Sequence, residues 1–253
     1  MIFDTHAHYN DEAFDSDRET LLDDLPKKDV EYVVNAASDI ESSLESIKLS
    51  RKYDYIYSCV GIHPENMGNN LDKDYILKLE ELIENNKKVV AVGEIGLDYH
   101  FDIESKEQQK EVFENQIKLA VKHDLPIIVH DREAHKDTLD ILKKYKPKGI
   151  VHCFSGSVEM AREIIKLGMF LGIGGILTFK NAKNIVNVAK EIPLEKLVLE
   201  TDAPYLAPTP FRGKRCDSSF IKYTAEKLAQ IKEISVDEVY TKTCETAKKI
   251  FKI

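Results

Sequence analysis

Two histidines one residue apart stand near the start of this chain, in the stretch FDTHAHYN. Side chains at i and i+2 of a strand share a face, so a strand over 2–8 points Asp4, His6 and His8 the same way. Two neighbouring imidazoles can share a cation; the same pair also suits a plain polar surface strand. Further groups of this kind recur, each closing a short apolar run: His63 in GIHP, Glu94 in VGEIGLD, His130 in IIVHDRE, His152 in VHCFSG and Asp202 in LETDAP. A lone buried carboxylate such as Glu94 would be costly, and cations among the imidazoles and carboxylates remove that cost. Mixed nitrogen and oxygen donors suit zinc, and also manganese or iron; magnesium prefers oxygen. Four imidazoles and two carboxylates on one site exceed what one tetrahedral ion that keeps a water can use. They suit two divalent ions, zinc, manganese or magnesium, that share a carboxylate.

These residues can meet only if the fold gathers strand ends. Apolar runs fall at 2–6, 30–37, 55–62, 88–96, 125–130, 148–154, 169–175 and 196–202. Between them lie segments with apolar residues at three- and four-residue spacing, such as 72–86, 105–124 and 157–168. Ser105 reads as an N-cap and Gly168 as the residue after a helix end. Eight strands alternating with helices predict an α/β fold, a (β/α)8 TIM barrel forming one domain over 1–253. The last two helical segments, 218–231 and 235–252, exceed the barrel's need by one, which predicts a helix covering its outside or bottom. A doubly wound open sheet is the competing architecture, but no glycine-rich phosphate loop follows the first strand. In a barrel, the C-terminal strand ends ring one pocket. Five of the eight histidines (6, 8, 63, 130 and 152) then fall there.

Composition bounds the rest. With 253 residues, 43% hydrophobic and 32% charged, the chain can bury a large core. No apolar stretch reaches membrane-spanning length. MIFDTHAH shows neither basic nor apolar leader features, and the four cysteines (59, 153, 216, 244) include no CxxC pair. The expectation is a cytoplasmic protein with reduced thiols and no obligatory protein partner. A net charge of −8 disfavours broad duplex binding, though bound dications would reverse the field locally.

DTHAH, GIHP, VGEIGLDY, IIVHDRE, HCFSG and LVLETDAPYLAP followed by RGKR resemble the TatD family of metal-dependent deoxyribonucleases, from residue 2 to about 215. The resemblance implies a (β/α)8 barrel of the amidohydrolase-like metal hydrolases. It implies that His6, His8, Glu94 and Asp202 hold one ion, that Glu94 bridges to a second held by His130 and His152, and that His63 faces a substrate phosphate. Two departures stand out. Tyr9 and Asn10 replace the family's usual Leu-Asp, and Cys216, Asp217 and Ser218 replace its Asn-Glu-Pro.

The expected activity is hydrolysis of phosphodiesters in DNA, single-stranded for preference, with Asp202 and Glu94 catalytic. Arg132, Arg212, Lys214 and Arg215 lie on rim loops and are candidate phosphate contacts. Tyr99, Phe154, Tyr205 and Phe211 are candidate base-stacking residues. The alternatives are a small-molecule hydrolase of the same two-metal architecture, acting on an amide, lactone or phosphotriester, and an inactive metal-stabilised binding protein. Strand alternation turns Cys153 away from the pocket, and His123 and His135 read as helix surface residues.

Overall fold

A computed structural model describes residues 1–68, 71–100 and 105–253. Eight parallel strands follow one another in chain order: β1 (Ile2–Ala7), β2 (Val30–Asn35), β3 (Ile56–Val60), β4 (Val89–Asp98), β5 (Ile127–Arg132), β6 (Gly149–Val151), β7 (Phe170–Ile173) and β8 (Leu197–Leu199). The helices are α1 (Arg18–Asp24), α2 (Ile40–Lys52), α3 (Tyr75–Glu84), α4 (Lys106–Lys122), α5 (His135–Tyr145), α6 (Val158–Lys166), α7 (Lys183–Glu191), α8 (Ile221–Lys232) and α9 (Val236–Phe251). Each of the first eight follows one strand, as a (β/α)8 barrel requires. Serine caps the helices that the sequence marked most clearly: Ser105, Ser157 and Ser235 accept N–H bonds at the starts of α4, α6 and α9. Gly168 follows α6 with φ +88. No helix among the described residues is long and apolar enough to cross a membrane.

Alternation along the strands explains why the site sits where it does. Val33, Ile127, Val129, Val151, Leu197 and Leu199 pack with the helices in the larger apolar cluster. Their neighbours Phe3, Val34, Cys59, Ala91, Ile128, Ile150 and Val198, from seven strands, form a second cluster with Cys244, Ala247, Ile250 and Phe251 of α9. That second set is the inner layer, and α9 plugs its lower end, with the Phe251 ring stacked 5.8 Å from Phe3. Two residues further along the chain come His130 after Ile128, His152 after Ile150 and Glu200 after Val198, the last two just past their strand ends. The period of two therefore lifts the polar groups into the layer above an apolar floor. Gly96, paired with His130, has φ +152, and a Cβ there would lie 1.9 Å from the His130 carbonyl oxygen. Only glycine lets β4 and β5 approach so closely at the level of the site.

Strand ends differ from the apolar runs. β4 and β5 run on to Asp98 and Arg132, whereas β6 and β8 stop at Val151 and Leu199. Cys153 turns out of the ladder with φ +43 and Asp202 with φ +65. Apolar character continues past β6 because Phe154 is buried by loop packing, not because the ladder continues.

Adjacent strands pair from β1 through to β8, but the closing edge between β8 and β1 carries only an isolated bridge, Ala7 with Ala203. Side chains complete this seam. The Thr5 hydroxyl donates to the Leu199 carbonyl at 3.1 Å. Buried Asp4 accepts from the Thr201 N–H and hydroxyl at 3.0 and 2.6 Å and from the Ser218 hydroxyl at 2.6 Å.

Candidate metal centre

Six of the sequence-predicted donors meet at the upper mouth of the barrel. His6 Nε2 lies 3.0 Å from His8 Nε2, 3.3 Å from Glu94 Oε2 and 3.6 Å from Asp202 Oδ1. His8 Nε2 lies 3.5 Å from Glu94 Oε2 and 3.4 Å from Asp202 Oδ1. Donors about 2.1 Å from one tetrahedral ion stand about 3.4 Å apart, so this spacing fits a cation. The other Glu94 oxygen, Oε1, faces a second set: His152 Nε2 at 2.7 Å and His130 Nδ1 at 2.8 Å, with 3.5 Å between those nitrogens. Glu94 thus divides its two oxygens between two donor groups.

The electrostatics agree with that fit. Burial alone would raise the Glu94 carboxyl, but His152, His63, His6 and His130 outweigh it and hold it well below the usual carboxylate range. Burial pulls His6 down to about 4, helped by His152. Burial also opposes a charge on His130, yet Asp98 and Glu94 push it up to about 10. Carboxylates and imidazoles packed this closely call for positive charge.

Two carboxylates behind the donors escaped the sequence reading. Asp98 Oδ2 lies 3.0 Å from His130 Nε2, which leaves Nδ1 facing Glu94. Glu200 is fully buried beneath His152, with Oε1 3.8 Å from Nδ1 and accepting the Cys153 N–H at 2.5 Å. Burial raises its carboxyl to about 8. Asp98 stands four residues from Glu94 on one strand, a period-two signal that shows once β4 is seen to run to Asp98, whereas Glu200 and Asp202 lie past the end of β8 and give no such signal. A carboxylate behind a ligating imidazole fixes its tautomer and orientation. Asp98→Asn is therefore expected to weaken metal binding about 10–100-fold at one site only, read as a split in a calorimetric metal titration. A uniform loss at every site would point to general damage instead.

His63 sits against the same centre, its Nε2 3.5 Å from Glu94 Oε1. Its Nδ1 accepts the Glu65 N–H at 3.1 Å. A neutral ring so bonded carries its hydrogen on Nε2, which makes that atom a donor into the pocket. Burial keeps the ring's affinity for a second proton low. Arg132 lines the same cavity of about 400 Å³, with its guanidinium 4.0 Å from Asp98.

The remaining rim residues divide. Arg215 does not face this cavity. Its guanidinium makes two bonds to Asp17, at 2.7 and 2.6 Å, donates to the Ala13 carbonyl and lies over the Phe14 ring. Arg212 lies over Phe179 beside a neighbouring cavity. Phe154 is buried, Tyr99 donates to Asp137, and Phe211 packs with Phe220 and Tyr223. Tyr205, 54% exposed, stands at the mouth with its hydroxyl donating to Asp11 at 2.7 Å. Cys153 is not turned away by alternation, because β6 ends before it; after burial, Asp202, Glu200 and Glu94 raise its thiol well above the ordinary range. His123 and His135 are helix-end residues paired with Glu80 and Asp131.

The profile of the TatD related DNase family matches residues 3–252. The chain belongs to that family. It is 44% identical to "Uncharacterized metal-dependent hydrolase YabD" of Bacillus subtilis (strain 168), over the full length of both. It is 33% identical to "Uncharacterized metal-dependent hydrolase YcfH" of Escherichia coli (strain K12), over 100% of this chain and 96% of that one. Among solved structures, YJJV, a TatD homologue from Escherichia coli K12, superimposes with a TM-score of 0.94 at 30% identity, covering 100% of this chain and 98% of the other.

Tyr9 of the first departure meets Ser218 of the second. The Tyr9 hydroxyl lies 2.7 Å from the Ser218 hydroxyl and accepts the Ser218 N–H at 2.8 Å. Ser218 in turn donates to Asp4. A buried phenol needs a polar partner, and the proline usual in this family at 218 has no N–H or hydroxyl to offer. The paired change lies under the seam, not in the pocket. Asn10 accepts from Asn35 at 2.8 Å and lines the cavity edge.

Proposed function

We propose that the protein is a metal-dependent hydrolase of phosphodiester bonds in DNA, with single strands preferred. The observation that carries this reading is the division of the two Glu94 oxygens between two donor groups at the foot of one open pocket. His6, His8, Asp202 and Glu94 would hold one divalent ion, and Glu94, His130 and His152 a second, with zinc or manganese suiting the donor set better than magnesium. Divalent ions bound there supply the Lewis acidity that makes water nucleophilic near neutral pH and polarises a phosphoryl oxygen. The chain's own residues do the rest. Asp202, whose side chain is 18% exposed, is placed to accept a proton from the attacking water. The His63 Nε2–H donates to a non-bridging phosphoryl oxygen and holds the diester in line. Arg132, at the outer wall, adds charge on the leaving side of the phosphate. Glu94 keeps the two donor groups in register.

The names of the relatives, metal-dependent hydrolases, and the family description, related to a DNase, support the reaction class and the substrate respectively. The test is hydrolysis by metal-loaded protein of single-stranded DNA, duplex DNA, a chromogenic phosphodiester, a lactone and an amide. Single-stranded DNA is expected to be cleaved fastest, and cleavage to slow as salt rises. Turnover of the lactone or amide with none of the DNA would replace the nuclease reading by the small-molecule one.

A further inference from the structure

Three cavities lead away from the donor pocket along the β7–β8 side of the rim. Tyr205 forms a wall of both the donor pocket and the first cavity, about 610 Å³, which is floored by apolar residues such as Leu206 and Phe179 and edged by Arg212 and Lys214. Phe179 and Arg212 are also walls of the second, about 480 Å³, which reaches Lys183. Phe179 and Lys183 continue into the third, which adds Lys180 and Lys227. Among the described residues no Asp or Glu lines any of the three, in a chain whose net charge is −8. The hollow around the start of α1 differs, being lined by Asp15, Asp17 and Glu19 together with Arg18 and Lys52. Arg212 makes no ion pair among the described residues; its guanidinium carbon sits 4.5 Å above the Phe179 ring.

Apolar hollows with an aromatic wall and cationic edges match the chemistry of a nucleotide, a flat base attached to a phosphate. A row of them, continuous with the donor pocket and free of acids, matches several nucleotides in sequence. We propose that this track seats the nucleotides adjoining the cleaved phosphodiester of a single strand. Their bases lie against Tyr205 and the Phe179–Arg212 pair, and their phosphates meet Arg212, Lys214 and Lys183. The proposal rests on the nuclease reading above and adds to it a direction: the strand leaves the pocket over β7 and β8, along the hollows that no described acid lines. Arg215 also lines the first cavity, but its guanidinium is held by Asp17.

The test uses metal-loaded protein and oligothymidylates from about two to about twelve nucleotides, with bis(4-nitrophenyl) phosphate as a diester too small to reach the track. For the unaltered protein, kcat/KM is expected to rise with length and then level off. Phe179→Leu keeps the apolar contact but removes the ring. It is expected to cost about tenfold for long oligonucleotides, the size of one base–aromatic stack, chiefly in KM. Phe179→Tyr should restore it. Arg212→Gln should reduce the slope of log affinity against log salt by about 0.7, one phosphate contact. A flat length dependence, or equal losses on the small diester and the long oligonucleotide, overturns the track. Fluorescence anisotropy separates the two readings. Oligothymidylate binding that depends on Phe179 without any cleavage supports the track and removes the nuclease; cleavage indifferent to length and to Phe179 does the reverse.

Discussion

Asp202→Asn is expected to lower kcat on single-stranded DNA by about 10²–10⁴-fold while the protein stays folded and metal-loaded. The change is nearly isosteric. An amide oxygen can still lie where Oδ1 now sits, 3.6 and 3.4 Å from the two histidine nitrogens. What disappears is the negative charge and the capacity to take a proton. Burial would raise the carboxyl, but the bond to His8 and the charges of His6, His8 and His152 bring it below its ordinary value, so it is ionised at neutral pH. Steady-state kinetics at saturating metal, with metal content measured on the same samples, check this. Turnover near that of the unaltered protein would remove Asp202 from the mechanism.

Glu94→Ala is expected to have the broader effect, abolishing turnover and both metal sites together. Glu94 touches more of the centre than any other residue, with contacts of 2.7–3.5 Å to five imidazoles. Each donor group loses an oxygen when it goes. His152→Ala removes a donor from one group only, and so should leave about one ion per chain. Elemental analysis after dialysis against trace metal gives the counts, and circular dichroism shows whether the barrel persists. Two ions retained without Glu94 would mean that it bridges nothing.

The number and order of the strands were legible because buried β-branched runs alternated with helical periodicity. The ends of the strands were not, since apolar residues such as Phe154 are buried in loops past the strand ends. Donors at strand ends were legible by type and position. Asp98 was hidden because an apolar run stopping at 96 put it on a loop, while the strand extends to Asp98. Asp4 reads as a third member of the histidine face, yet its carboxylate is spent on Thr201 and Ser218 across the seam. The basic cluster at 212–215 reads as one feature. Only the fold shows that Arg215 has a partner in Asp17, 198 positions away. Partnerships of that range leave no local pattern to read.

The seam between the last strand and the first also bears on how the ring comes together and how it opens. Its bonds join residues 194 to 214 positions apart, among the longest loops in the fold, so they form only after most of the polypeptide is in place. Few backbone bonds cross there, and the ring is weakest along that line. The donors that face one another near it come from opposite edges, His6 and His8 from one and Asp202 from the other. An ion held between them would act as a clasp, favouring the closed ring by about 2.7 kcal/mol when its concentration is about a hundred times its dissociation constant. Loss of the cation and local unzipping of the barrel are then two views of one equilibrium, and readiness for chemistry and mechanical closure rise and fall together.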